Sequence, residues 1–296
     1  MSLSLNPPNT DTTKFKVAAV QGEPAWCDLQ GGVDKTIRII REASSEGAKS
    51  SVFPSSSFQP IVKDYHANAL SIHSPEMNRI QDAVHEADVT VVLGFAEHAG
   101  GSLYIAQVTI TPDGKMANHR RKLKATHYEK TIFGDGNAVV KTHMYARYPQ
   151  LFVASWPAAF PPHTGGSPYS CSSEACTRMS QFVAIEGGCF RIVASTVISE
   201  KGAERMKLVG FPWFKFPGGG FSVIYGPDGS ALTEPVDADA EVIIYADISL
   251  DKIAENKIVA DIMGNYSRFD LLSTAVHSRK QVPVTYADGE DFLKKD

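Results

Sequence analysis

The chain has 296 residues, 43% of them hydrophobic and 21% charged, an ordinary balance for a globular protein and enough length to bury a substantial core. Its net charge of −4 and isoelectric point near 6.1 offer no electrostatic reason to bind nucleic acid or an anionic membrane, and no apolar run approaches the roughly 20 residues that span a bilayer. The four cysteines, Cys27, Cys171, Cys176 and Cys189, are too sparse for a disulfide scaffold, so a reducing, cytoplasmic setting is expected. Cys171 and Cys176 have no second Cys/His pair at a convincing offset, and no metal or other cofactor is expected.

Residues 1–13 are Ser, Asn, Pro and Thr around no apolar centre and read as a frayed tail rather than a secretory signal. One α/β domain over 14–280 is expected, then a second tail over 281–296. Lys16–Gln21 is a short apolar run and predicts a buried strand. Val33, Ile37 and Ile40 follow at helical spacing, with Gly47 as a stop. Ser50–Phe53 predicts the next strand. Ser74 and Pro75 predict a helix start, and Met77, Ile80 and Val84 mark its apolar face. Thr90–Phe95 and Leu103–Ile110 predict strands, the second closed by the turn signal from Thr111 to Gly114. Leu151–Ser155 predicts a strand. Ser173–Glu186 predicts a helix with Met179, Phe182 and Ile185 on one side. Phe190–Ser195 predicts another strand. Ser222–Tyr225, the turn from Gly226 to Gly229 and the run from Ser230 predict a hairpin. Val242–Ala246 predicts a strand, and Asp251 a helix cap for a helix through Ile262. Alternating strands and helices predict helices covering a sheet.

The run from His119 to Gly136 carries the most information. His119, Arg120, Arg121 and Lys122 stand together, Glu129 follows the lysine by seven residues, and Val153–Pro157 comes soon after. Lys16–Gln21, Val52–Pro54, Gly94–Glu97 with Gly101–Tyr104, Met179–Phe190, Gly218–Ser222 and Asp261–Arg268 stand in order around it. Together these segments resemble the nitrilase and cyanide hydratase branch of the carbon–nitrogen hydrolase superfamily, from about Lys16 to about Arg279.

The resemblance implies a nitrilase-like α-β-β-α sandwich, with loss of a central strand left open, usually paired into homo-oligomers. It implies a small nitrile as substrate, converted to a carboxylic acid or amide and ammonia. It also implies a glutamate, a lysine and a cysteine, often with a second glutamate. A nitrile carbon is a poor electrophile, so a soft, activated nucleophile is needed. Proton transfers need a tuned carboxyl, and a buried cation stabilises charge where it accumulates.

By that resemblance Lys122 takes the role of the catalytic lysine. On spacing alone it also reads as a surface lysine of a basic run. Glu129 takes the place of the supporting glutamate, or of a solvated carboxylate. Ser55 occupies the position of the first glutamate, and serine is no base near neutral pH without a partner. The pocket-shaping loop that follows is shortened here, since Phe58–Pro60 leads almost directly to Tyr65.

The family's cysteine belongs between Gly136 and Leu151, where this chain has about 14 residues and no cysteine. A strand of about five residues and a helix of about eleven, with turns, do not fit there. None of the four cysteines is a convincing substitute, and Cys189 reads as a small buried hydrophobe. A lost strand would leave unpaired backbone groups, each costing about 1–3 kcal/mol if kept from water, against a domain stability of about 5–15 kcal/mol. A reorganised or covered sheet edge is therefore expected. Three accounts follow: an impaired nitrilase-family protein serving as a binding or assembly subunit, a repurposed enzyme without the cysteine, or a sequence from which coding segments have been dropped. His66 and His73 read as helix or loop residues, and Pro217–Gly220 as a flexible turn.

Overall fold

A computed structural model of the chain describes residues 13–54, 62–122, 144–264, 266–268, 270, 271 and 273. Two sheets pack face to face. The first has six strands in the order β5-β4-β3-β2-β1-β9, with β1 Lys14–Gln21, β2 Ala48–Val52, β3 Thr90–Ala99, β4 Ser102–Ile110, β5 Met116–Arg121 and β9 Val242–Ser249. The second has three, β6 Leu151–Trp156, β7 Phe190–Ser195 and β8 Val223–Tyr225, in chain order. Val17, Ala19, Val52 and Val92 of the first sheet meet Phe190, Ile192 and Ala194 of the second in a dry inner layer. The pleat sends alternate residues the other way. Val91, Leu93, Phe95, Val108 and Ile110 thus pack against α1 (Leu29–Ser45) and α3 (Pro75–Ala87). On the outer side of the second sheet, Val193, Tyr225 and Ala154 meet Ala184 of α4 (Ser173–Gly187). The layering is α-β-β-α, as expected.

Local chemistry sets the helix starts. Asp28 accepts from Gly31 N, Ser74 from Met77 N and Ser172 from Ala175 N, each satisfying a first-turn donor that the helix itself leaves unbonded. The Thr111–Gly114 turn carries the chain into β5, which the sequence reading passed over because its six residues are mostly charged or polar. Short helices α2 (Val62–Ala67) and α5 (Glu200–Arg205) also went unforeseen.

Four expectations are corrected. Asp251 does not cap α6 (Asp251–Val259): Leu250 holds the cap position, and Asp251 accepts from Ser249 and Thr13 hydroxyls instead. That helix stops before Ile262 because Ala260 turns extended and Asp261 accepts from Met263 N and Gly264 N. Met179, Phe182 and Ile185 do share one side of α4, and that side is exposed, at 45, 55 and 43%. The sheet takes the small face of α4 instead, Ala175, Cys176, Ser180 and Ala184, with Trp156 Nε1 donating to Ser180 Oγ at 3.2 Å. The Gly218–Gly220 turn is buried and tightly packed: a Cβ on Gly219 would meet Ala158 at 2.5 Å, and one on Gly220 the Gln21 amide at 2.4 Å. The hairpin after Tyr225 returns only as a single bridge to Ala231.

Ser50 and Ser51 do lie in a central strand, 5 and 0% exposed, and the Ser51 hydroxyl has no hydrogen-bond partner. Such a group costs about 1–3 kcal/mol. Among the described residues β6 pairs with β7 alone. Both tails lie outside the described residues.

Candidate functional site

The polar residues gather where β2 and β5 end. Phe53 N donates to Val92 O at 2.9 Å, and Lys122 N donates to Ile105 O at 2.7 Å. Ile105 pairs with Ala96 on β3. The Phe53–Pro54 exit and Lys122 therefore leave toward the same border of the first sheet, three strands apart. Ser55 and Glu129 lie outside the described residues. Of the three residues expected at the site, Lys122 alone lies among the described residues, directly after β5.

What holds the end of β5 is a cluster missed at the sequence level. Glu97 is 0% exposed. Arg121 grips both of its oxygens, Nε to Oε2 at 2.9 Å and Nη2 to Oε1 at 2.7 Å, and His119 Nε2 lies 2.9 Å from Oε2. The Arg121 guanidinium also stacks 4.0 Å over the Tyr104 ring. Burial pushes the Glu97 carboxyl up, but the hydrogen bonds and charges of Arg121 and His119 outweigh it and hold the group below the usual range.

The alternate residue of β5 points the other way. Arg120 Nε and Nη2 donate to Gln107 Oε1 at 2.9 and 2.5 Å. Gln107 Nε2 donates to Ser155 Oγ at 2.9 Å, and Ser155 Oγ donates to Phe53 O at 2.7 Å. This relay links the strand before Lys122 to the second sheet and to the exit of β2. A charged residue inside a strand, two strands from a His-x-Arg pair of matching parity, was the one signal in the sequence that could have found Glu97.

The thiols are poorly suited to attack. Cys176 and Cys189 are buried, which pushes both up to about 11, so few thiolates exist at neutral pH. Cys189 is the small buried hydrophobe expected. Burial also raises Cys27, with Arg205 working against it. Cys27 lines a cavity of about 200 Å³ under α1, together with Val33, Phe53, Pro54, Tyr65 and Leu93, and Lys122 does not line it. Cys171 is exposed.

A two-sheet α-β-β-α sandwich is the architecture of carbon–nitrogen hydrolases. The fold matches the crystal structure of a carbon–nitrogen hydrolase from Helicobacter pylori G27 with a TM-score of 0.70 at 17% identity, covering 88% of this chain and 97% of that one. The carbon–nitrogen hydrolase family model matches residues 16–152. A cyanide hydratase of Armillaria gallica is 57% identical over 332 residues, covering 98% of this chain and 93% of the relative. A nitrilase of Talaromyces marneffei is 41% identical over 313 residues, covering 91% and 97%. The chain belongs to the carbon–nitrogen hydrolase family, in its nitrilase and cyanide hydratase branch. The first of these alignments is longer than the whole 296-residue chain, so that relative has residues inside the matched span with no counterpart here.

Proposed function

We propose that this chain is a nitrilase-type protein that, in its present sequence, does not carry out the cysteine thioimidate reaction. The observation that carries the reading is the interval from Gly136 to Leu151, too short for a cysteine strand and without a cysteine. That β6 pairs with β7 alone among the described residues supports it. So do the gapped alignment with the cyanide hydratase and the serine at the first glutamate position. Lys122, which follows β5, would by the resemblance still offer a cation to a small nitrile. Without a thiolate no covalent bond to the nitrile carbon forms, and without the first carboxylate no group is placed to move the protons.

The test is consumption of cyanide, aliphatic and aromatic nitriles by the purified protein, with amide and ammonia both measured, beside the Armillaria relative. Consumption no faster than in buffer is expected. Turnover within a hundredfold of the relative would overturn the reading.

A second role, as an assembly subunit, is favoured by the exposed apolar side of α4. Met179, Phe182 and Ile185 form a stripe that a second copy or an active relative would cover, since such stripes mark interaction surfaces. A homo-oligomer is expected, and light scattering that returns the mass of one chain would remove it. The four free thiols support a cytoplasmic setting. No helix among the described residues is long and apolar enough to cross a membrane.

A further inference from the structure

Two histidines distant in sequence meet beside the first sheet. His66 stands on α2 and His98 near the end of β3, with ring centres 4.4 Å apart and ring planes at 69°. The backbone fixes that meeting. Leu70 N donates to Ala96 O and His98 N donates to Leu70 O, both at 3.0 Å, so the segment leaving α2 is bridged to β3. Tyr65 and Ala69 pack with Ala96 around the buried Leu103 of β4. Asn68 Nδ2 donates to Asp64 O at 2.8 Å and closes the end of the short helix. Both rings are half-buried.

Their nitrogens are largely unused. His66 Nε2 lies 3.5 Å from Gly101 O, in the turn between β3 and β4. With its proton on Nε2, toward that carbonyl, the lone pair of Nδ1 is left for another partner. The His98 ring makes no hydrogen bond among the described residues; its contact is the His66 ring. We propose that His66 and His98 form a two-histidine site for a divalent transition cation of the zinc type.

The chemistry favours that ligand. Neutral imidazole suits zinc, copper and nickel, whereas magnesium and calcium prefer oxygen. Zinc–nitrogen bonds of about 2.0–2.1 Å would set the two ring centres roughly 4.5–5 Å apart around one ion. The observed 4.4 Å is just below that, so small rotations of the rings admit it. A ligating histidine ordinarily donates its other N–H to a carbonyl or carboxylate, and Gly101 O stands in that position for His66. No group of three His, Cys, Asp or Glu side chains suited to a metal gathers among the described residues, so water completes the shell and the site stays open. A bound ion would tie α2 to β3. The inference does not depend on whether the chain hydrolyses nitriles.

The experiment titrates zinc chloride into the full chain by calorimetry, with magnesium chloride as the control. One saturable zinc site that depends on both histidines is expected, with no such site for magnesium and a thermal midpoint that rises with zinc concentration. His66→Ala and His98→Ala are each expected to weaken zinc binding at least about tenfold. Cys171→Ser removes an exposed thiol that zinc could also find, and is expected to leave that binding unchanged. Should His98→Ala fail to fold, His66→Gln on α2 decides the matter with the same expected weakening. Zinc affinity equal in the parent and the folded histidine variants would mean an adventitious ion only and would overturn the site. Magnesium binding as tight as zinc would overturn it as well, as would the absence of any saturable zinc heat.

Discussion

Glu97→Ala is expected to destabilise the protein by about 3 kcal/mol at neutral pH, the lower end of the range for removing one partner of a buried ion pair. The carboxylate is fully buried, while His119 and Arg121 are 25 and 27% exposed. The stranded Arg121 guanidinium and His119 ring can therefore regain some water, which keeps the loss from the upper end. The first two residues to loosen are the ones that lead into Lys122, whose backbone N–H is the last ladder bond of the β5 border.

The effect has a pH signature. Arg121 and His119 hold Glu97 below the usual carboxylate range. A carboxyl depressed in the folded state contributes its stability in full above the unfolded value, about 4.3. That contribution is lost as pH falls through the folded value. Urea midpoints of the parent and Glu97→Ala should therefore differ most at neutral pH and converge below pH 4. Equal midpoints at pH 7 would show that the cluster contributes nothing to the border of the first sheet.

Gln21→Glu is expected to cost about 3–5 kcal/mol at neutral pH, with the opposite pH dependence. Gln21 is 1% exposed at the end of β1. Its Nε2 donates to Asp237 O at 2.8 Å and Ala240 O at 3.1 Å, and its Oε1 accepts from Ser222 N at 3.0 Å. A carboxylate there would aim a negative oxygen at two carbonyls. The close approach of Gly220 leaves no room to turn away. The introduced carboxyl would be pushed up in the folded state. Its protonated form keeps a donor for Asp237 O, so stability is highest below the unfolded carboxylate value and falls as pH rises from there through the folded one. Thermal midpoints at pH 4 and pH 7 test this. A variant that gains stability between those values would contradict it.

The helices and most strands were legible from short-range pattern. Ser74 before Pro75, and Met77, Ile80 and Val84 at helical spacing, describe α3 because the bonds and the buried face of that helix involve residues a few positions apart. The run ending in Lys122 pointed to the family for the same reason: its members are neighbours in sequence. Where local pattern misled, packing decided. α4 has both an apolar side and a small-residue side, and periodicity cannot say which the sheet will take. The sheet took the small one, where Ser180 meets the Trp156 indole. β5 was passed over because its side chains are polar, and its strand character depends on pairing with β4.

Local sequence pointed to most of the elements and to the family, since each is written in residues close together along the chain. Tertiary structure alone joined Glu97 to His119 and Arg121, 22 and 24 residues away, and Gln21 to Ser222, 201 residues away. Buried charges and amides find their partners across strands, and which strands are neighbours is a property of the folded sheet order rather than of any stretch of chain.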